Sequence, residues 1–160
     1  MVEEQPTPAT TETSAKEQFA IQNIYIKDIS FETSNAFELF AKQTRPHIET
    51  EMSHKISSLQ DDSYEVILNV TVTVKIEEQT AFLVEVHQGG IFLVRGFSEP
   101  RLAYTLNSFC LGILFPYARE MISNLVVRGG FQPLYLAPIN FDALYQQHLQ
   151  RAQTEQSKAN

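Results

Sequence analysis

The chain is short of the residue types that most readily identify a function. It has one cysteine in 160 residues, Cys110. No intrachain disulfide can form, and the apolar stretch around Cys110 makes it a small buried hydrophobe. Lysine and arginine total 12 against 19 aspartates and glutamates, a formal net charge of −7. That balance argues against nucleic-acid binding driven by phosphate contacts and favours basic partners or simple solubility. No apolar run approaches the ~18 residues of a membrane span. The N-terminal MVEEQPTPATTETSAKEQ is acidic and polar, unlike a secretory signal. A soluble protein of a reducing compartment is expected.

Catalytic signatures are equally scarce. The four histidines, His47, His54, His87 and His148, lie in separate elements or seven residues apart on one strand, which gives no metal-ligand spacing. QGGIFLVRG has glycines but neither a Walker lysine nor GxGxxG, and it sits in a strand pattern rather than before a helix. Asn69-Val70-Thr71 matches a glycosylation sequon inside a strand, a chance match. Cys110 has no Cys-His context. Neither enzymatic activity, metal nor cofactor is expected.

What is present is a domain's worth of apolar residues, 43 % of the chain. A domain of this size buries roughly 70 % of its unfolded-chain surface. Residues 1–18, rich in Thr, Glu, Gln and Pro, read as a disordered arm, residues 19–150 as one domain, and residues 151–160 as a flexible polar tail.

Four strands are expected within the domain. Phe19–Glu32 is rich in strand formers, but its alternation is imperfect: Ile24 and Ile26 oppose Tyr25, Ile29 and Phe31. Either both faces are partly covered or a bulge switches the phase. Residues 33–46 form a long connection around Phe37, Leu39 and Phe40. Ile48, Met52 and Ile56 then alternate with polar residues up to Leu59. Asp61-Asp62-Ser63 is turn chemistry. Tyr64–Ile76 alternates cleanly, with Val66, Leu68, Val70, Val72, Val74 and Ile76 on one face. Ala81–Arg95 follows a short loop, and Gly89-Gly90 predicts a bulge or sharp bend there.

Helical spacing begins near Pro100, with Leu102, Leu106, Phe109 and Cys110, and Gly112 and Pro116 should break or kink it. A second helix starts at Pro116 and ends at Gly129, read as the left-handed cap. Tyr117, Ala118, Met121, Ile122, Leu125 and Val126 cover about half of its circumference, more than the stripe of ~100° that one packed surface needs. It is either a thoroughly buried core helix or a helix at a subunit interface. Asn140 caps a last helix with Phe141, Leu144, Tyr145, His148 and Leu149 on one face. Strands followed by helices define the α+β class, with a four-stranded antiparallel sheet.

Two constellations suit binding. Ile24, Ile26, Asp28, Ser30 and Glu32 share parity, so Asp28 and Glu32 face the same way, about 13 Å apart. Leu83 and Glu85 lie opposite in phase to Phe82, Val84 and Val86. The four residues are either an ordinary solvated sheet face or an acidic, partly apolar docking surface for a basic partner. The surplus of apolar residues on the long connection and the last helix is either loop packing or a groove for extended peptide.

IYIKDISFE, TAFLVEVHQGGIF, ILFPYARE and LAPINFDALY, in that order across residues 19–149, resemble the SecB family of bacterial protein-export chaperones. The resemblance implies an α+β subunit in a homotetramer built as a dimer of dimers. In the helix after Pro116, it makes Tyr117, Met121, Ile122, Leu125 and Val126 the interface. It implies ATP-independent holding of unfolded preproteins in the cytoplasm, without membrane insertion or nucleic-acid binding. Delivery is to the translocation motor SecA, whose basic, zinc-bearing C-terminal tail docks on the sheet. By matching positions, Asp28 and Glu32 in KDISFE and Leu83 and Glu85 in AFLVEV would receive that tail. The cargo groove would take Ile48, Met52, Leu144, Tyr145 and Leu149, with Phe37 and Phe40 nearby. Thr44 departs from relatives that place an aromatic there. The rival class is a small-molecule-binding or structural α+β oligomer without an export role.

Overall fold

A computed structural model describes residues 16–34, 36–42 and 44–159, without the side chains of Ala36 and Phe37. The expected arm falls almost wholly outside the described residues, as does the side chain of Phe37. Within the described part the order is β1 (Gln18–Glu32), α1 (Ala36–Phe40), β2 (His47–Ser58), β3 (Ser63–Ile76), β4 (Gln79–Arg95), α2 (Glu99–Tyr104), a π-helical turn (Thr105–Phe109), α3 (Cys110–Arg128) and α4 (Phe141–Ala159). The strands form one antiparallel sheet in the order β1-β4-β3-β2.

The alternating pattern explains the sheet. Val66, Val70 and Val72 on β3, with Val84, Val86 and Phe92 on β4, are fully buried and share one face. Leu114, Ala118, Ile122 and Val126 of α3 pack on that face and are equally inaccessible. Asp61 and Asp62 both take φ near +58° in the β2–β3 turn, as a tight hairpin requires.

β1 settles the question its sequence left open. Register shifts fall between Ile21 and Asn23 and between Ile26 and Asp28. The extra residues are therefore Gln22 and Lys27, and each bulge returns the next apolar residue to the inner face. Phe19, Ile21, Ile24, Ile26, Ile29 and Phe31 consequently oppose inner-face positions of β4. Ile24 and Ile26 thus do not share a face with Asp28, which corrects the parity reading. Both bulges are tied down: Gln22 accepts a bond from Ser63 Oγ, and the buried Gln88 amide donates to the Tyr25 carbonyl.

Gly89 and Gly90 also correct an expectation. The β3–β4 register runs through them without a shift. They make room for side chains: a Cβ on Gly89 would stand 2.5 Å from the Tyr25 ring, and one on Gly90 would stand 2.6 Å from Phe92.

The helical region differs most. Pro116 starts nothing; it lies inside α3, and the helix runs unbroken from Glu99 to Arg128 apart from the π-helical turn. A proline ring clashes with the carbonyl four residues back. That residue is Gly112, where a Cβ would meet nothing within 4 Å. Both lie on the exposed side, so the buried face holds the helix together past them. At the end, Gly130 rather than Gly129 is left-handed, with φ +85°. Bonds from Phe131 N–H to Val126 O and from Gly130 N–H to Val127 O close a Schellman cap. By length and mean hydropathy (1.2) the segment Glu99–Arg128 could cross a membrane; here its most apolar stripe is the one packed on the sheet. α4 continues to Ala159, so residues 151–159, expected to be a flexible tail, are exposed helix.

Candidate functional site

The face of the sheet away from the helices assembles one candidate site from four strands. Pairing puts Glu32 beside Leu83, Ser30 beside Glu85 and Asp28 beside His87. Directly paired residues of antiparallel strands point the same way, so Asp28, Glu32, Leu83 and Glu85 share this outer face. Asp28 and Glu32 are exposed, and Leu83 and Glu85 half-buried. Across β3, Thr71 and Thr73 lead to Glu51 and Glu49 on β2. The acidic charge is partly balanced: Glu85 pairs with His87, and Glu49 lies 3.2 Å from Lys75. The same face also carries a denser cluster. The Tyr25 hydroxyl donates to Glu65, which also accepts from Lys27 at 3.1 Å. Burial, reinforced by Glu65, pushes the Tyr25 hydroxyl up to about 12. The Tyr25 bond, with help from Lys27, holds Glu65 below the usual carboxylate range despite its burial.

The inner face of the edge strand β2 flanks two apolar cavities. The first, about 460 Å³, lies between β2 and the helices and includes Met52, Leu68, Leu111, Leu144 and Tyr145. The second, about 310 Å³, includes Phe40, Ile48, Phe82 and Phe131. The long β1–β2 connection creates it. β1 and β2 are opposite edges of the sheet, so residues 33–46 must cross its end. In doing so they bury Leu39 and bring Phe40 against Phe131, with ring centroids 5.0 Å apart. Thr44 also lines this cavity.

Of the predicted groove residues, Met52, Leu144 and Tyr145 meet in the first cavity and Phe40 and Ile48 in the second. Leu149, 38 % exposed, lines neither. Sequence reasoning missed Leu111, Asn107 and His54 in the first and Phe131 and Pro133 in the second. They come from elements far apart in sequence; the apolar FQPL segment was the only available hint.

α4 is fastened mainly at its start. Asn140 Oδ1 accepts from Ala143 N–H at 3.0 Å, the expected cap. Asp142 accepts from Ser108 Oγ at 2.5 Å and from the Tyr104 hydroxyl, which lowers its pKa and raises that of Tyr104. Phe141 is its buried residue.

On α3, Tyr117 is 51 % exposed and Met121 and Leu125 are half-buried, whereas Ile122 and Val126 have no accessible surface. The latter two belong to the subunit's own core, which corrects their assignment to an interface. The helix has a core stripe and a separate outward apolar stripe, and the half-circumference of apolar residues is the sum of the two. Burial pushes the Cys110 thiol up to about 12, which fits a packed rather than a reactive cysteine.

These features define a class: a two-layer α+β protein with apolar cavities beside an edge strand and an acidic, open sheet face. Comparison with known proteins narrows it. The family described as SecB, preprotein translocase subunit SecB, matches residues 12–152. A protein-export protein SecB from Methylococcus capsulatus is 52 % identical over 142 residues, covering 89 % of this chain and 92 % of that one. Another, from Nitrosococcus oceani, is 47 % identical over 156 residues, covering 96 % and 95 %. Among solved structures, the SecB-like chaperone of Mycobacterium tuberculosis in complex with a ChAD peptide from the HigA1 antitoxin matches with a TM-score of 0.65. Its identity is 16 %, over 76 % of this chain and 90 % of that one, a likeness of fold. The chain belongs to the SecB family, chaperones of protein export that bind client polypeptides.

Proposed function

We propose that the protein holds unfolded preproteins in the cytoplasm without ATP and passes them to the motor SecA, acting as a homotetramer built as a dimer of dimers. The observation that carries the holding step is the pair of apolar cavities flanking one face of β2, with Met52, Leu144 and Tyr145 at one and Phe40 and Ile48 at the other. An extended chain laid along β2 would make many weak apolar contacts, and only an unfolded client exposes enough apolar sequence to use them. The reading extends this path to Phe37 and Leu149.

The outward stripe of α3, led by Tyr117, Met121 and Leu125, supports the tetramer. Apolar surface left exposed on a subunit's long helix marks a protein–protein interface. The outer sheet face supports the motor contact: Asp28, Glu32 and Glu85 suit a basic tail, and Leu83 offers an apolar anchor. Nothing in this scheme requires catalysis.

The direct test is light scattering of a chemically unfolded, slowly folding preprotein diluted into the protein without nucleotide. Aggregation is expected to be suppressed at about one tetramer per client. Aggregation at the unassisted rate would overturn the holding function. Replacing both Met52 and Leu144 by Glu should abolish suppression while leaving the far-ultraviolet spectrum of the sheet intact.

A further inference from the structure

The second cavity has walls of two kinds. Val74, Ile76 and Phe82 belong to the sheet, whose ladder holds them in register. Lys42, Thr44 and Pro46 belong to the connection between α1 and β2. The buried Leu39 anchors that connection at one end, and the pairing of His47 with Lys75 anchors it at the other. Between those anchors, Phe40 packs on Phe131 beyond α3 rather than on the sheet. Among the described residues, one hydrogen bond joins this stretch to the sheet: Lys42 Nζ donates to Glu77 Oε2 at 2.8 Å. The bond from Lys42 N–H to the Leu39 carbonyl, at 3.2 Å, stays within the connection. Lys42 thus lays its aliphatic stem in the cavity wall and sends its ammonium group across to the β3–β4 turn.

Glu77 holds that ammonium group from a strained position. Ile76 pairs with Gln79, so Glu77 and Glu78 are the two central residues of the hairpin. Glu77 takes φ +58°, and Glu78 has no positive φ. A two-residue hairpin with positive φ at its first central position favours glycine there, because a Cβ crowds the neighbouring carbonyl. Glycine would suit this turn better, but it could not reach Lys42. The strained backbone and the single tie to the connection therefore belong to the same residue, and strain retained in this way points to a role for the side chain. The pair is open to solvent, so it is weak and screened by salt. Those are properties of a clasp that opens, not of a permanent brace.

We propose that Lys42 and Glu77 form a clasp that sets how readily the second cavity admits a bulky client side chain. Closed, it holds the connection as a wall over the cavity; open, it lets that wall swing away from Val74 and Ile76. The inference rests on the groove reading above and names the residues that control entry to one part of it.

The test uses the intact protein and two capped, fluorescent, unfolded peptides without ionisable side chains, identical except for tryptophan or alanine at one position. Association rates are measured by stopped-flow anisotropy at neutral pH. At low salt the tryptophan peptide should associate about threefold faster with Glu77→Gln than with the parent protein, the scale of one exposed ion pair. The alanine peptide should associate equally fast with both. Raising salt from about 20 mM to about 500 mM should remove most of the difference by speeding the parent. Lys42→Glu should also speed entry of the tryptophan peptide. The exchange Lys42→Glu/Glu77→Lys should restore the parent's rate, a recovery that lost packing of either stem would not give. Glu77→Gly should match Glu77→Gln in rate and unfold at a urea midpoint no lower than the parent's.

Equal rates for parent and Glu77→Gln overturn the proposal, as does equal acceleration of the alanine peptide. So does an exchanged pair as fast as Lys42→Glu alone. A lowered midpoint in Glu77→Gly, with faster entry, would assign the effect to a loosened hairpin and overturn it too. Ile48→Glu separates the two readings, because Ile48 lines this cavity without touching the clasp. Undiminished binding of the tryptophan peptide to Ile48→Glu would overturn the groove at this cavity and the clasp together. Lost binding there, with equal rates for parent and Glu77→Gln, overturns the clasp alone.

Discussion

Tyr25 lies over Gly89 because no Cβ is there to stop it, and the contact puts its hydroxyl within reach of Glu65 two strands away. One glycine, one aromatic ring and one carboxylate thus tie the edge strand β1 across β4 to β3. Removing the hydroxyl in Tyr25→Phe should cost about 1 kcal/mol in urea unfolding, the net worth of one such bond. The pH dependence follows from the two shifts. Glu65 is held low, so its stabilisation is present above its unfolded pKa and lost as pH falls through its folded one. Tyr25 is raised from 10.0 to about 12, so its stabilisation is complete below the first value and lost as pH rises through the second. The stability gap between wild type and Tyr25→Phe should be flat across neutral pH and close at both extremes. A gap that widens on acidification would show that the bond does not carry the shift. Gly89→Ala should destabilise by about 1–3 kcal/mol through overpacking, and by less when Tyr25 is already Leu. Gly89-Gly90 read as a bulge in the sequence because a glycine pair in a strand pattern gives no sign of the ring that will lie on it.

The strands were legible because a sheet with one buried face imposes a period of two, and β3 and β4 follow it over most of their length, with Ile67, Ala81 and Gly89 buried out of phase. β1 was legible in composition but not in phase, since Gln22 and Lys27 look like ordinary strand residues until the register is known. The long helix was misjudged for a physical reason. Pro116 and Gly112 are local breaking signals, but they sit together on the exposed side while Leu114, Ala118, Ile122 and Val126 are clamped to the sheet. Tertiary packing outweighs a local cost of about 3 kcal/mol for an interior proline. The irregularity falls instead at Thr105–Phe109, where Thr105 and Asn107 spend side-chain donors on carbonyls four residues back. The two stripes of α3 predict different phenotypes. Ile122→Ala should cost about 2–5 kcal/mol of subunit stability by leaving a cavity, seen as a lower urea midpoint. Tyr117→Glu should leave the melting of isolated subunits nearly unchanged and reduce the sedimenting species below a tetramer. Tetramers that survive Tyr117→Glu would remove that stripe from the interface.

At the scale of the molecule, the sheet presents two surfaces of opposite chemistry, and period-two alternation separates them residue by residue. The inner side ends in apolar cavities at the edge strand β2, and the outer side carries Asp28, Glu32 and Glu85 around Leu83. The outer surface was half legible in sequence: parity pairs Asp28 with Glu32 and Leu83 with Glu85, but the bulges at Gln22 and Lys27 decide that the first pair faces outward. The cavities were not legible, because they join β2 to a connection, a helix and a loop. A basic tail on the outer face should be drawn by long-range charge and held by Leu83, so the two kinds of variant ought to differ in salt dependence. Glu85→Lys turns one attraction into a repulsion and should weaken tail binding about tenfold or more at low salt, with the deficit shrinking as salt rises. Leu83→Ala should weaken it by a factor nearly independent of salt. The proposed client groove lies on the opposite side of the sheet, so client affinity should be unchanged in both variants. Calorimetry with the isolated basic tail and with an unfolded client measures all of these. Loss of client binding in Glu85→Lys would mean that the two faces are coupled through the sheet rather than separated by it.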